Sequence, residues 1–106
     1  MIKLMFVSYR KPGLSHEECL AEGEGEQHQT VVKKVPGLIK WKENFVNQMP
    51  HENAADVIAE LWFESPESFQ VALASPEWAA AVEDSQRFLD MERTYAMTVD
   101  EKVFLE

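Results

Sequence analysis

A chain of 106 residues has room for one domain, residues 1–106, and no second, and folding at that length removes roughly two-thirds of the unfolded surface from water. Hydrophobic residues at 45% and charged residues at 27% fit an ordinary globule and argue against disorder. The formal charge of −9 works against nucleic acid or an anionic membrane surface as partner and favours a neutral, apolar ligand.

The opening segment Ile2 to Tyr9 is apolar on both alternating faces and stops at the turn-forming Lys11-Pro12-Gly13, which predicts a buried central strand. It is short, contains Lys3 and lacks a small-residue cleavage site, so it reads as a strand and not a signal peptide. Ser15 stands three residues before Glu18, a capping-box spacing, and predicts a helix running towards Val35, where Pro36-Gly37 turns the chain. Cys19 lies near the helix start and reads as a buried thiol. As the only cysteine it cannot form an intramolecular disulfide, and this points to a reducing, cytoplasmic compartment.

From Leu38 to Met49, Ile39, Trp41, Phe45 and Val46 alternate with polar residues and predict a strand with one partly exposed face. Pro50 to Ala55 is loop-like. Asp56 to Glu64 is again apolar on both faces apart from Glu60, which predicts a second buried strand. Ser65-Pro66-Glu67 and Ser75-Pro76-Glu77 each place a capping serine before a proline and an acid at a helix start, so two consecutive helical pieces follow. Arg93 to Phe104 resumes strand alternation through Tyr95, Met97 and Val99. No apolar run approaches the roughly 18 residues of a membrane span.

The order β, α, β, β, α, β predicts an α+β fold of ferredoxin-like βαββαβ type with an antiparallel four-stranded sheet. Two helical segments cover one face of such a sheet, yet the strands at Ile2 to Tyr9 and Asp56 to Glu64 are apolar on both. A twofold partner presenting the same surface is the expected cover, so a homodimer is predicted.

On the first helix, Leu20, Glu24, His28, Val31, Val32 and Val35 recur at spacings of three and four, which points His28 towards the sheet. An imidazole there can move a proton near neutral pH, or it can serve as a hydrogen-bonded core histidine; the spacing fits both. Glu24, one turn earlier, could orient the imidazole or be a solvated surface acid. Glu60, in an apolar strand, must find a partner, a wet cavity or a dimer seam. Ile58 and Trp62 alternate with it and, with Val31 and Val32, are candidate ligand walls or plain core. His16 and His51 are expected at the surface. No cluster has metal-ligand spacing and no phosphate loop or nucleophile elbow occurs, so no cofactor is expected.

Met1-Ile2-Lys3-Leu4, Lys11-Pro12-Gly13-Leu14-Ser15, His28 with Val35-Pro36-Gly37-Leu38, Ala59-Glu60-Leu61-Trp62-Phe63 and Ala74-Ser75-Pro76-Glu77 with Asp84, Arg87, Phe88 and Asp90 resemble, in that order, the EthD-like branch of the dimeric α+β barrel proteins. The resemblance implies a homodimer whose two sheets pack face to face, with a pocket between sheet and helices in each subunit. His28 matches the family's histidine position, while Gly23, Glu24, Gln27 and Gln29-Thr30 depart from the family pattern around it. The resemblance implies metal-free work on ring compounds. The expected function is therefore acid/base proton transfer on a small apolar ring or lactone-like metabolite, with His28 as acid/base and Glu24 or Glu60 orienting it. A non-catalytic binding dimer and an oxygenase acting through a substrate-derived radical are the alternatives.

Overall fold

Local chemistry sets where the helices begin. In the computed structural model, which covers residues 1–106, the Ser15 hydroxyl accepts from the Glu18 N–H at 3.1 Å while the Glu18 carboxylate accepts from the Ser15 N–H at 2.8 Å. This reciprocal box starts α1 (His16–Glu24). Ser65 and Ser75 cap α3 (Pro66–Leu73) and α4 (Pro76–Ser85) without the reciprocal bond, their hydroxyls accepting from the Ser68 and Trp78 N–H, each ahead of a proline in the first turn. The helix expected to run from Ser15 towards Val35 is interrupted. Gly25 takes an extended conformation (φ −66°, ψ 156°), ends α1 and opens a separate α2 (Glu26–Val32).

The strands are β1 (Ile2–Ser8), β2 (Leu38–Phe45), β3 (Val57–Phe63) and β4 (Tyr95–Val99). They form one antiparallel sheet in the order β2-β3-β1-β4, the ferredoxin-like arrangement the element order predicts. The β2 and β4 patterns end earlier than expected. Met49 and Phe104 lie outside them, and Phe104 is 93% exposed.

Strict alternation in β3 sorts the two faces. Val57, Ala59, Leu61 and Phe63 are buried under the helices, whereas Ile58, Glu60 and Trp62 point to the opposite face. Phe63, wholly buried, contributes about 2–3 kcal/mol of hydrophobic stabilisation. β2 joins this pattern only after a bulge. Leu38 pairs with Phe63 and Lys40 with Trp62, leaving Ile39 as an extra residue, 51% exposed. The extra residue reverses the parity of the strand, so that Trp41, Glu43 and Phe45 oppose Leu61, Ala59 and Val57 on the helix side.

All four helices stand on one face. On the other, Met5 lies between Glu60 and Met97 in the register and Val7 between Ile58 and Tyr95, with Tyr95 and Met97 half exposed. Lys3 and Lys40 lie over the Trp62 ring at 4.9 and 4.7 Å.

Candidate active site

Between the sheet and helices α2 and α4 lies a cavity of about 70 Å³. Eleven of its sixteen lining residues are hydrophobic, among them Phe6, Val32, Leu61, Trp78 and Val82, which suits an apolar guest. That volume is half of the ~150 Å³ that accepts a benzene ring, so a ring ligand must displace a wall or extend outward. The cavity shares Trp41 and Glu43 with an outer depression of about 260 Å³, rimmed also by Gly23, Glu24, Gln29, Lys33 and Phe45. Trp41 and Glu43 are thus the partition between inside and outside.

His28 is buried and lines the cavity. Its ring is clamped edge-on by Phe88 at 4.9 Å and Trp41 at 5.9 Å. Nδ1 is 2.9 Å from Oδ2 of Asp84, on α4, while no protein group bonds Nε2. Asp84 is itself held by Nε and Nη2 of Arg87 at 2.8 and 3.2 Å and by the Gln27 amide at 3.0 Å. The Arg87 guanidinium, followed by the His28 contact, keeps the Asp84 carboxyl below its ordinary range despite burial. An ionised carboxylate only accepts, so Nδ1 carries a proton and Nε2 is the ring nitrogen left without a protein partner. Arg87 also reaches Glu22 at 2.6 Å, completing a network that fixes the imidazole from behind.

The family model for the EthD domain matches residues 11–92. The chain belongs to the EthD family. Among solved structures, this EthD chain is similar to an EthD family protein from Bacillus halodurans, at 22% identity and TM-score 0.74, covering 96% of this chain and 100% of that one. It is also similar to a dimeric protein of unknown function and ferredoxin-like fold from Bacteroides fragilis (13% identity, TM-score 0.67, 94% and 95% covered). A third likeness is to SnoaB, a cofactor-independent oxygenase from Streptomyces nogalater (10% identity, TM-score 0.61, 99% and 98% covered). At these identities the likenesses show the fold. Among curated proteins none matches the chain significantly.

Within the EthD domain, the residues singled out by sequence separate. His28 and Val32 line the cavity; Val31 packs against the core beside it. Glu24 does not reach His28. The extended Gly25 breaks the helical phase that would have aligned them, leaving Glu24 exposed on the rim of the outer depression. Glu60, Ile58 and Trp62 are corrected as well, because β3 alternation turns them away from the cavity to the open sheet face. There Glu60 is paired with Lys3 at 2.7 Å and bonded by Asn44 at 2.9 Å, and the Asn44 bond, then Lys3, hold its carboxyl below the usual range.

His16 is a further correction. Expected at the surface, it is partly buried, with Nδ1 2.6 Å from Asp56 and Nε2 2.7 Å from the Val46 carbonyl. Both partners are acceptors, so both ring nitrogens donate, and the Asp56 bond raises the imidazole above its ordinary value. His51 is exposed as expected, and Cys19 is wholly buried, its thiol pushed up to about 12.

Two residues of the site had no role assigned from the sequence. Asp84 is 56 positions from His28 and no local spacing connects them. Glu43 carries a signal, since it alternates with Trp41 and Phe45 on one strand face. Its Oε2 accepts from the Trp41 indole N–H at 3.1 Å, and burial pushes its carboxyl up to about 7. No three His, Cys, Asp or Glu side chains converge as a metal site. No helix is long and apolar enough to cross a membrane.

Proposed function

We propose that this EthD domain catalyses proton transfer on a small, apolar, ring-containing or lactone-like molecule held in the cavity, with Nε2 of His28 as the acid/base. The observation that carries the reading is the oriented imidazole: Asp84 holds the proton at Nδ1, leaving the free nitrogen on an apolar cavity wall. Asp84 replaces Glu24 and Glu60 as the orienting carboxylate. A thermal-shift screen of ring compounds followed by turnover assays tests it. The expected result is loss of turnover in His28→Ala; unchanged turnover would sink the proposal.

A second reading shares the same first step. Removing a proton from an electron-rich ring gives a carbanion able to pass an electron to dioxygen, and the fold likeness to a cofactor-independent oxygenase favours it. Oxygen uptake coupled to substrate loss distinguishes it from isomerisation, and a ligand that stabilises the protein but is never transformed, even in air, would favour a binding role.

The domain works, on this reading, as a homodimer joined through the open sheet face. The half-exposed Tyr95 and Met97 beside Met5 and Val7 support it, as does the dimeric state of ferredoxin-like neighbours. Sedimentation at micromolar concentration should give about twice 12.2 kDa, and a stable monomer would overturn it.

A further inference from the structure

We propose that Glu43 is the second proton-transfer group of the cavity, donating to the carbonyl oxygen of a cyclic ketone or lactone whose neighbouring C–H is attacked by His28. The inference rests on the proposed role of His28 and adds the group that would face the oxygen.

The bulge at Ile39 turns Glu43 inward, and no other carboxylate lines the cavity. One of its oxygens accepts the Trp41 N–H, and the other has no protein partner. No cation pairs with it. His28 lies on the same cavity wall through Trp41, whereas Glu24 and Lys33 stand on the rim of the outer depression, with Lys33 bonded to Gln29 at 3.4 Å. Lys42 and Asn44 of the same strand, and Glu60 opposite Lys42, occupy the other sheet face. Asp84 is already engaged by Arg87 and His28. With burial pushing its carboxyl up to about 7, Glu43 keeps a large share of its acid form at neutral pH. An O–H donor in apolar surroundings recognises a neutral oxygen acceptor, and a charged guest would meet no counter-charge there.

The step balances without an external reagent. Nε2 of His28 takes the proton from the carbon next to the carbonyl, and the C–H pair becomes the C=C bond of an enol. The carbonyl π pair moves to oxygen, which takes the Glu43 proton. The Glu43 carboxylate then recovers that proton, and His28 returns its own to carbon, so the net result is isomerisation or exchange.

Cyclopentanone labelled with ¹³C at the carbonyl, in D₂O with saturating ligand, separates the two roles. In the wild type the bound carbonyl resonance should move downfield below pH 6 and return as pH rises through about 7, with deuterium entering the α positions. The isosteric Glu43→Gln, checked for an intact melting transition, should lose the pH dependence of that shift and slow α exchange at least tenfold. His28→Ala should keep the carbonyl shift and lose exchange. A wild-type resonance that does not move, or a pH dependence that survives Glu43→Gln, overturns the assignment of Glu43. Exchange that survives His28→Ala overturns the His28 reading and leaves that of Glu43 standing.

Discussion

Nδ1 of His28 and Oδ2 of Asp84 stand 2.9 Å apart, a contact that ties α2 to α4 across 56 residues of chain. Asp84→Asn keeps one acceptor oxygen, held by Arg87 and Gln27 at the Oδ1 position, and puts an NH2 donor in place of the oxygen that faces Nδ1. The imidazole proton should move to Nε2, visible in ¹⁵N spectra, and proton transfer should fall by about 10²-fold or more. Arg87 loses its main partner as well, so unfolding should cost about 1–3 kcal/mol less. Because the Asp84 carboxyl lies below its unfolded value, this contribution is present above about pH 4 and is lost as pH falls through the depressed value.

The His16 to Asp56 contact carries a different pH signature. Asp56, 1% exposed, is bonded by His16, by the Arg10 backbone N–H at 2.8 Å and by the Arg10 guanidinium at 3.1 Å, and its carboxyl is held low by these bonds against its burial. The raised imidazole stabilises the fold fully below about pH 6.5, and that share is lost as pH rises through its folded value. His16→Gln should therefore lower the unfolding free energy most between pH 5 and 6, by about 1–3 kcal/mol, with the gap narrowing as pH rises above about 6.5. A gap that does not narrow as pH rises above about 6.5 would show that His16 is not charged in the fold.

Glu43 predicts a gap of the opposite sign, one that widens with pH. A carboxyl raised to about 7 penalises the fold as it ionises, so wild-type stability should decline from about pH 5 upward. Glu43→Gln should match the wild type at pH 5 and exceed it by about 1–3 kcal/mol at pH 8.5, read by denaturant unfolding at both values.

Two glycines should respond in opposite directions. A Cβ on Gly23 would meet Phe88 at 3.4 Å and Phe45 at 3.6 Å, ordinary contact distances, inside α1. Gly23→Ala should stabilise by about 0.5–1 kcal/mol. Gly37 has φ +77°, and a Cβ there would come within 3.3 Å of Ser68. Gly37→Ala should destabilise by about 1–2 kcal/mol. Thermal melts of the pair give the comparison directly.

Features written in neighbouring residues were legible in the sequence. Ser15, Ser65 and Ser75 start helices through bonds to residues three positions on, and the two-faced apolar pattern of β1 and β3 places them at the centre of the sheet. His28 pointed inward as its valine neighbours implied. What depended on phase was misread. One extended residue at Gly25 detached Glu24 from His28, and alternation that reads equally well in either direction left Ile58 and Trp62 as candidate cavity walls and Glu60 as a candidate partner of His28, when all three lie behind the sheet; the charge partner that a carboxylate in an apolar strand requires is Lys3. Asp84 could not be connected to His28 at all, because only the packing of α4 on α2 brings them together.

The bulge at Ile39 shows how little backbone separates one chemistry from another. Had β2 kept the parity of Leu38, the cavity would receive Lys40, Lys42 and Asn44, and Trp41 and Glu43 would face away from His28. A chamber suited to neutral guests would become a cationic one suited to anions, with every side chain unchanged. On the proposed reading, what the cavity admits is governed by the number of residues in an edge strand as much as by their identity.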